Sequence, residues 1–599
     1  MMRVADFVAD FIAKQGVKHV FLISGGMSMY LVDAIARHKN LKYVCNHHEQ
    51  ASVMAAEAYG RQNCNFGVAC VTAGPAITNT LTGVVGAWLD SSPCMIITGQ
   101  TKVAQVRSEG VRQFGVQGFY TLPIFQHVTK YAVMIEDPKS IRYHMEKALH
   151  MLFSGRPGPV WIEIPLDIQG AQIDPDALKG YDKPSPEGED TTTVRKKVAM
   201  FLDMLAVSKR PLFILGNGVR LSNSQNKARS VYEALSIPVI TSRLAIDLIE
   251  TDHPLFVGRP GTYGDRPANF AIQNSDLIIS LGCRLGVPLI GHNYKEFGKN
   301  AKKAVVDIEK AELDKPTIDI DLKINADVGL FLDELLYAIK DKCYPVREDW
   351  LTKCAYWKKN FPVVLPEYSS DKDGINSYYF TERLSHHLDK DDTIVLDTGS
   401  CFHVVSQAIR IKKGQRFITT GGLSTMGYAQ PPAIGVSVAK QHGKTVCITG
   451  DGSLQMNIQE FAAVSHYELP ICFFVFNNNG YLLIRQTQTA FLEGNLAAEG
   501  PDTGVWCPDL KKIAEAYGIA FLRVSKVADL DIAIKKALSY DKGPIICEVM
   551  TPPWQAIVPK VASDKRPDGS LVPKPYDDMY PFLDRKVYEK ESNYFKSQQ

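Results

Sequence analysis

An aspartate and an asparagine follow two consecutive apolar segments in the last third of the chain. Residues 445–450 are typical of a buried strand that ends at Asp451, and residues 470–476 are typical of a second strand. Residues 454–466 between them are predicted to be a helix. In such a parallel βαβ unit, Asp451 and Asn478 would lie side by side at the carboxyl ends of the strands. The pattern therefore favours a parallel sheet covered by helices.

The residue types at this edge indicate a metal–diphosphate site. A carboxylate and an amide oxygen are suitable ligands for Mg²⁺, which prefers oxygen and readily shares phosphate oxygens. Gly452 and Ser453 begin the helix, where free backbone N–H groups can bind a diphosphate. Because Gly450-Asp451-Gly452 is also a common turn, a second constellation is needed to support this interpretation.

Length and composition limit the classes of protein to which the chain can belong. The chain has 599 residues, enough for about three to four domains. Its 45% hydrophobic and 22% charged residues are typical of a soluble globular protein. The net charge is only +2 and the basic residues are spread along the chain, so neither a nucleic acid nor a membrane surface is implied as a partner. The 12 scattered cysteines indicate a reducing compartment. With neither a signal peptide nor an apolar run of roughly 18 residues, we predict a cytoplasmic protein.

Strand-like and helical segments alternate throughout, which predicts an α/β protein with three domains, each built on a parallel, helix-covered sheet. A Pro-rich stretch at 183–190 is predicted to be a linker, and a second break falls at 361–376, including a turn at 371–374. The predicted domains are 1–182, 191–345 and 375–562, followed by an irregular tail at 563–599.

Two glycine-containing motifs carry less weight. Gly443-Lys-Thr445 imitates the end of a phosphate-binding loop, but it precedes a strand rather than a helix. Gly216-Asn-Gly218 follows the strand predicted at 211–215, but Leu221 replaces the third glycine of a dinucleotide-binding motif. A plain turn and a site for a nucleotide-like ligand both remain open there.

A further constellation lies in the first third, where Glu49 stands at a strand-to-helix junction in Tyr43-Val-Cys-Asn-His-His-Glu-Gln50. Taken alone, Glu49 could simply be favoured by the helix dipole or pair with the neighbouring histidines. With Val71-Thr-Ala-Gly-Pro75 downstream and the Asp451 segment, however, it closely resembles the acetolactate synthase-like thiamine diphosphate (ThDP) enzymes. The resemblance covers nearly all of 1–553 and implies pyrimidine-binding, central and diphosphate-binding domains in that order.

The resemblance implies a role for each matching residue. Glu49 would hydrogen-bond the aminopyrimidine ring of the cofactor, and Met426 would hold the cofactor in a bent shape, although core packing is the alternative for a single methionine. Asp451, Asn478 and the Gly480 carbonyl would bind Mg²⁺. Further cofactor contacts are predicted at Gly25, Gly26, Gly74, Asn79, Gly399, Ser400, Cys401, Thr425, Gly450, Gly452, Ser453, Tyr481 and Leu482.

The implied activity is decarboxylation of a 2-oxo acid, with pyruvate as the expected donor, and transfer of the acyl carbanion to a carbonyl acceptor. Gln117 matches the family's active-site glutamine and favours ligation, with a solvated loop amide as its alternative. A simple decarboxylase or C–C hydrolase on the same scaffold remains open, as does a catalytically silent ThDP-binding protein. A homodimer or homotetramer is implied, because domains of different subunits meet around the cofactor in this family.

The acceptor region departs from the family pattern. Residues 479–486 replace the Gly-Met-x-x-Gln-Trp segment of the synthases, so the acceptor-selecting tryptophan is missing. Tyr481, Arg485 and Gln486 are expected to shape a more polar pocket. This loop and the tail at 565–585 resemble a subgroup from bacterial surface-polysaccharide pathways, which implies a nucleotide-linked keto sugar as acceptor.

The sequence leaves flavin binding open. Arg243, residues 258–262 and residues 306–312 follow the FAD-binding relatives. Arg284-Leu-Gly-Val-Pro288, however, replaces the Arg-Phe-Asp-Asp-Arg segment of those relatives. FAD is therefore a second candidate cofactor, with a structural rather than a redox role.

Overall fold

A computed structural model describes residues 1–106, 111–184, 190–370 and 373–595. Residues 185–189 of the predicted linker and residues 371 and 372 of the predicted turn lie outside these ranges, as do residues 596–599 of the tail. Three six-stranded parallel sheets, each flanked by helices, confirm the predicted α/β architecture. The exact domain boundaries stay a prediction.

The first sheet has the strand order β3-β2-β4-β5-β7-β6, with all neighbours parallel, while β1 and β8 pair separately and antiparallel. The strands are β1 (Met2–Arg3), β2 (His19–Leu22), β3 (Lys42–Cys45), β4 (Gly67–Val71), β5 (Cys94–Gln100), β6 (Tyr131–Met134), β7 (Val160–Pro165) and β8 (Gln172–Ile173). The helices are α1 (Val4–Lys14), α2 (Met29–Arg37), α3 (Glu49–Asn63), α4 (Pro75–Asn79), α5 (Leu81–Leu89), α6 (Val103–Val106), α7 (Leu122–Phe125), α8 (Ile141–Phe153) and α9 (Leu166–Gln169).

The central sheet has a different order, β11-β10-β9-β12-β13-β14, again parallel throughout. Its strands are β9 (Pro211–Leu215), β10 (Val239–Thr241), β11 (Phe256–Gly258), β12 (Leu277–Leu281), β13 (Lys302–Asp307) and β14 (Leu322–Asn325). Its helices are α10 (Thr191–Val207), α11 (Gly218–Leu221), α12 (Gln225–Leu235), α13 (Arg266–Asn274), α14 (Val287–Ile290), α15 (Lys310–Asp314), α16 (Val328–Ile339) and α17 (Glu348–Asn360).

The third sheet has the order β16-β15-β17-β18-β20-β19 and is also parallel. Its strands are β15 (Thr393–Leu396), β16 (Arg416–Thr419), β17 (Thr445–Gly450), β18 (Ile471–Asn477), β19 (Ala520–Val524) and β20 (Ile545–Met550). Its helices are α18 (Ser377–His387), α19 (Ser400–Ala408), α20 (Gln430–Ala439), α21 (Asp451–Leu454), α22 (Phe461–His466), α23 (Leu482–Phe491), α24 (Leu510–Ala516) and α25 (Leu530–Leu538).

Helices α3 and α20 join the first and third domains. Every residue of α3 from 51 to 60 is buried, which is why its sequence is rich in alanine and lacks a polar face. The helices approach so closely that a side chain at Gly435 would place its Cβ 2.0 Å from the Ala55 carbonyl oxygen. The hydrophobic core is continuous across this contact.

The tail is more regular than the sequence predicts. It forms the strand pairs β21 (Lys560–Val561) with β24 (Met579–Tyr580) and β22 (Ser563–Lys565) with β23 (Leu571–Pro573), and ends in α26 (Arg585–Ser592). Glu591 of α26 forms a buried 2.5 Å ion pair with Lys353 and accepts a 2.8 Å hydrogen bond from the Trp357 indole. The prediction of an irregular tail is wrong because these partners on α17 are distant in sequence. No helix among the described residues combines the length and apolar character needed to cross a membrane.

Candidate active site

The predicted diphosphate residues meet at one crevice of the third sheet. Strand order reverses between β15 and β17, which lie next to each other although β16 separates them in sequence. Ligands of parallel sheets bind at such switch points, beyond the carboxyl ends of the strands. After β15, Gly399 precedes α19, which begins with Ser400 and Cys401. Gly450 ends β17, and Asp451 and Gly452 begin α21 directly after it.

Asp451 is the centre of this group. It is buried, and its carboxylate accepts 3.0 Å hydrogen bonds from the backbone N–H groups of Gly452 and Gly480. Burial raises the pKa of Asp451 to about 6. Gly480 has φ +127°, and a Cβ there would lie 2.2 Å from the Glu499 carbonyl oxygen, so only glycine fits.

The oxygen atoms at this crevice are suitable ligands for a magnesium ion. The Asn478 amide nitrogen donates to Ser400 Oγ at 3.4 Å, whereas its buried Oδ1 has no hydrogen-bond partner among the described residues. With the Asp451 carboxylate and the Gly480 carbonyl, this unsatisfied oxygen supplies the hard oxygen ligands that Mg²⁺ prefers. No group of three His, Cys, Asp or Glu side chains that could hold a metal ion occurs in the described ranges.

The other predicted diphosphate contacts surround Asp451. A Cβ at Gly399, where φ is +94°, would lie 4.0 Å from Ser453 Oγ, and one at Gly452 would lie 2.4 Å from the Tyr481 ring. Cys401 is buried, and its thiol donates to the Thr398 carbonyl at 3.1 Å. Leu482 begins α23 and is buried.

The loop that carries Thr425 and Met426 is held at both ends by buried carboxylates. Asp397 accepts hydrogen bonds from the N–H groups of Gly427 at 3.1 Å and Ala429 at 3.3 Å. At the other end, Asp90 accepts from the N–H groups of Gly421 at 2.9 Å and Gly422 at 2.7 Å. Burial raises the pKa of Asp397 to about 6. Met426 itself is half-buried.

A hydrogen bond from Asn457 explains why the helix predicted at 454–466 is interrupted. Asn457 has non-helical backbone angles, and α21 and α22 are separated by a 3₁₀ segment, Gln455–Glu460. The Asn457 side chain donates to the Gly427 carbonyl at 2.8 Å. The prediction of one continuous helix is therefore wrong, and the break lets Asn457 support the Met426 loop.

The first sheet has an equivalent switch point between β2 and β4, and the predicted pyrimidine-side residues surround it. Gly25 and Gly26 follow β2, and Gly74 follows β4 with φ +66°. A Cβ at Gly25 would lie 2.5 Å from the Thr72 side chain, and one at Gly74 would lie 2.8 Å from Gln117 Cβ. Gln117 itself is exposed and has φ +59°.

Glu49 begins α3 beside this crevice. Its carboxylate accepts a 3.0 Å hydrogen bond from the Asn79 amide, so these two predicted residues are brought together. His48 caps the helix, because its ring nitrogen accepts from the Gln50 N–H at 3.1 Å. This hydrogen bond accounts for the position of His48 at the start of α3.

Glu460, which the sequence analysis did not identify, fixes the segment before Glu49. Its carboxylate accepts 2.9 Å hydrogen bonds from the Asn46 amide and the His47 N–H. Burial raises the pKa of Glu460 to about 7. Neither it nor Asp90 carries a sequence signal of this role, because each contacts a partner more than 300 residues away.

The two groups remain separate within one chain. In the described ranges, no hydrogen bond or ion pair links Glu49, Asn79 or Gln117 with Asp451, Asn478 or Ser400. Large apolar side chains near both groups are exposed: Phe114 and Val116 beside Gln117, and Met456, Ile484, Trp506 and Trp554 in the domain that carries Asp451. The two groups of predicted residues therefore lie at separate crevices of the described chain.

A cavity of about 490 Å³ opens at the switch point of the central sheet, between β9 and β12. Asn217 and Gly218 line it after β9, Gly282 and Cys283 after β12, and Asp307 at the end of β13. The Gly216-Asn-Gly218 segment, for which a plain turn and a ligand site were both open, thus lines a cavity.

Comparison with known proteins covers most of the chain. Three family models of thiamine pyrophosphate (TPP) enzymes match it. The N-terminal TPP-binding domain matches residues 2–134, the central domain matches 198–335 and the C-terminal TPP-binding domain matches 397–549. The acetolactate synthase large subunit of Cyanidium caldarium is 30% identical over 566 residues, 93% of this chain and 94% of that protein. The acetolactate synthase isozyme 1 large subunit of Escherichia coli K12 is 30% identical over 559 residues, 93% and 95% of the respective chains.

Proposed function

The chain belongs to the acetolactate synthase-like thiamine pyrophosphate enzymes, and on this premise we propose that it is a carboligase dependent on ThDP and Mg²⁺. It decarboxylates a 2-oxo acid, pyruvate, and transfers the two-carbon acyl unit to a carbonyl acceptor. The observation that carries this proposal is the crevice between β15 and β17, where the unsatisfied Asn478 oxygen lies on the strand end next to Asp451.

The diphosphate-side residues bind and orient the cofactor. Asp451, Asn478 and the Gly480 carbonyl would hold Mg²⁺, and the backbone N–H of Ser453 would contact the diphosphate, since the Gly452 N–H donates to Asp451. The fixed loop between Asp90 and Asp397 supports this role, because it gives Met426 a defined position from which to orient the cofactor.

The pyrimidine-side residues control a proton. When bound, ThDP supplies the electron sink for decarboxylation and ligation. Glu49 donates or accepts the proton at the pyrimidine N1′, and the hydrogen bond from Asn79 fixes the carboxylate for this purpose. Gln117, exposed at the mouth of the crevice, orients the acceptor carbonyl and thereby favours ligation.

We propose an acceptor larger than pyruvate, with a nucleotide-linked keto sugar as the leading candidate. The missing acceptor-selecting tryptophan in residues 479–486 supports this. Arg485, however, does not belong to the acceptor pocket: it is buried, pairs with Glu499 at 2.5 Å and donates to the carbonyls of Asn478, Asn479 and Pro553. The expectation that Arg485 shapes the acceptor pocket is therefore wrong, because its guanidinium N–H groups are hydrogen-bonded within the loop that carries the proposed metal ligands.

We also propose that the central cavity takes FAD in a structural role. Its position at a switch point, its glycine-rich walls and its volume of about 490 Å³ support a nucleotide-containing ligand. A yellow holoprotein with flavin absorbance near about 450 nm is expected, and a colourless folded preparation contradicts this part.

A homodimer or homotetramer completes the site in this proposal. Glu49 of one chain would face Asp451 of another, and the exposed apolar side chains around both halves would be covered. A cytoplasmic location is proposed as well, because all twelve cysteines are free thiols, as expected in a reducing compartment.

Product analysis separates this function from its rival, a decarboxylase that releases free aldehyde. Purified protein is incubated with ThDP, Mg²⁺ and ¹³C-pyruvate, with and without carbonyl acceptors that include nucleotide-linked keto sugars, and followed by NMR. A new carbon–carbon bond is expected with an acceptor other than pyruvate. Acetaldehyde as the only product would establish the decarboxylase, and acetolactate as sole product would contradict the larger acceptor.

A further inference from the structure

A cluster of buried polar side chains joins α3 to the loop that carries Met426. The Tyr428 hydroxyl donates to Glu57 Oε2 at 2.6 Å and accepts from Arg61 Nη1 at 3.2 Å. Arg61 Nη1 also lies 3.2 Å from Glu57 Oε1 and donates to the Thr419 carbonyl at 2.9 Å. Glu57 and Tyr428 are buried, and only 10% of the Arg61 side chain is exposed. The first and third domains are therefore joined through a phenol, a guanidinium and a carboxylate.

Tyr428 is only two residues from Met426, at the end of the Met426 loop, residues 420–429. The backbone on both sides of Tyr428 is fixed, because Asp397 accepts hydrogen bonds from the N–H groups of Gly427 and Ala429. Asp397 directly follows β15 of the third sheet. With the Tyr428 ring anchored at α3, this end of the loop is fixed both to its own sheet and to the neighbouring domain.

The same cluster extends to the beginning of the loop. Ser92 Oγ donates to Glu57 Oε1 at 2.6 Å. Ser92 is two residues after Asp90, whose carboxylate accepts from the N–H groups of residues 421 and 422. Thr425, the neighbour of the methionine, lines a small cavity together with Glu57 and Asp90. Both ends of the loop are thus attached to one buried group of side chains.

Met426 depends on such contacts, because a methionine side chain cannot fix its own position. Its thioether is flexible and at best a weak hydrogen-bond acceptor, so the place of the side chain follows from that of the backbone. Ser424, two residues earlier, has φ +57°. A non-glycine residue keeps this left-handed conformation only where the surrounding structure holds it, which is common at functional sites.

We propose that Tyr428, held by Glu57 and Arg61, is a positioning residue that fixes Met426 against the cofactor. A phenol is suited to this role, because a hydrogen bond to a carboxylate is stronger and more directional than apolar packing. Burial raises the pKa of Tyr428 well above its usual range, so the hydroxyl keeps its proton and continues to donate. The inference rests on the proposed ThDP-dependent function and adds residues that act through Met426.

The first test measures the loop in the apoprotein. Tyr428→Phe removes the hydroxyl and keeps the ring, so amide hydrogen exchange of residues 420–429, followed by mass spectrometry, should become about tenfold faster. Tyr378→Phe is the matched control, because Tyr378 is a buried phenol of the same domain that donates to Gln407 and accepts from the Val558 N–H. This control should leave loop exchange within about twofold of wild type. Unchanged exchange in Tyr428→Phe, or equal acceleration in both variants, overturns the proposal.

The second test measures the consequence for the bound cofactor. Holoprotein is diluted into D₂O and quenched in acid, and the loss of the ThDP C2 proton is followed by NMR. In Tyr428→Phe this exchange should slow about tenfold, because the cofactor is less well oriented, while the affinity for ThDP stays within about threefold of wild type. A loss of affinity with unchanged C2 exchange would assign the hydroxyl to cofactor binding and contradict the proposal.

A double-variant cycle tests whether the hydroxyl acts through Met426. Met426→Ala removes the side chain that is to be positioned, so adding Tyr428→Phe should change the C2 exchange rate by less than about twofold. If the two substitutions instead slow the exchange by independent factors, Tyr428 has a general structural role and the proposal is overturned.

These readouts separate failure of the proposal from failure of the proposed function. Loop exchange requires neither ThDP nor a carbonyl acceptor, and C2 exchange requires no acceptor. Faster loop exchange and slower C2 exchange in Tyr428→Phe, with no carbon–carbon bond formed by the wild type, would support the positioning role and contradict the carboligase. An active carboligase in which Tyr428→Phe changes neither exchange rate would contradict the positioning role alone.

Discussion

The first and third sheets have the same topology but different chemistry at their switch points. In β3-β2-β4-β5-β7-β6 and in β16-β15-β17-β18-β20-β19, the strands follow one another in the same relative order. The crevice of the third sheet gathers a buried aspartate and an amide oxygen that lacks a hydrogen-bond partner in the described part of the chain, whereas that of the first sheet gathers Glu49, Asn79 and the exposed Gln117. The strand order therefore determines where on each sheet a ligand can bind, and the residues at the strand ends determine which part of the ligand binds there.

The central sheet sharpens this lesson. Its order β11-β10-β9-β12-β13-β14 differs from that of the other two, yet its cavity also opens at the switch point. The three sheets thus offer three crevices, one with oxygen ligands, one with a carboxylate–amide pair and one large enough for a nucleotide-containing molecule.

The largest expected effect is on cofactor binding, at the third-sheet crevice. Asp451→Ala removes the only carboxylate among the proposed metal ligands, so the affinity for ThDP at fixed Mg²⁺ should fall about 1,000-fold, as expected when a buried charge loses its partner. Fluorescence titration of the apoprotein measures it, with Asp541→Ala, at an exposed site after α25, as control. Retained affinity in Asp451→Ala would place the metal elsewhere.

The first-sheet crevice should respond differently. Glu49→Gln keeps the shape of the side chain and its contact with Asn79, so ThDP should bind within about threefold of wild type, while turnover falls about 100-fold or more through loss of the proton-transferring group. Steady-state kinetics and the same titration separate the two effects. If the variant loses affinity instead of turnover, the division of labour between the crevices is wrong.

A smaller change is expected at Gln117, which should alter the ratio of the two products rather than the overall rate. Gln117→Ala should lower carbon–carbon bond formation about tenfold relative to acetaldehyde release, because the acceptor carbonyl loses a hydrogen-bond donor. The product ratio is read by NMR. Gln113→Ala, in the same exposed loop, is the control, and an equal shift in both variants would assign the effect to loop disturbance.

The smallest effect concerns the pH dependence of stability at Glu460. Burial raises its folded-state pKa to about 7, above the ordinary glutamate pKa of 4.5, so the folded state binds the proton more tightly. The resulting stability is present below about pH 4.5 and is lost as the pH rises through 7. Glu460→Gln lacks this titration, so its Tm relative to wild type should rise between pH 5 and pH 8.

Calorimetry at several pH values measures this difference. The glutamine is expected to be tolerated. The buried Oδ1 of Asn46 has no hydrogen-bond partner within the described ranges, and after a flip of the Asn46 amide it can accept from the new glutamine amide. A Tm difference that stays constant across this range would contradict the assigned pKa of Glu460.

The sequence predicts the three parallel sheets because each buried strand is a short apolar run ending in a turn residue. It also predicts that Asp451 and Asn478 lie on adjacent strand ends, since this follows from the βαβ rule alone. Contacts between domains are not predictable in this way. Glu460, Asp90 and the partners of the tail act on residues hundreds of positions away, and no local pattern records such pairs.

Local patterns also mislead where tertiary contacts override them. Residues 454–466 have helical periodicity, but the bond from Asn457 to Gly427 breaks the helix. Arg485 was expected in a pocket because it is polar and close to the metal loop, whereas Glu499 and three carbonyls hold it inside the protein. Both differences come from competition among hydrogen-bond partners, which depends on the folded chain.

The central claim is that the two crevices of different chains form one active site, and mixing two inactive variants tests it directly. Glu49→Gln and Asp451→Ala proteins are dissociated together, reassociated and assayed for ¹³C-pyruvate consumption with ThDP and Mg²⁺. A heterodimer would contain one site with both residues intact, so the mixture should recover about a quarter of wild-type activity if subunits pair at random. Activity no higher than the sum of the separate variants would contradict the shared site.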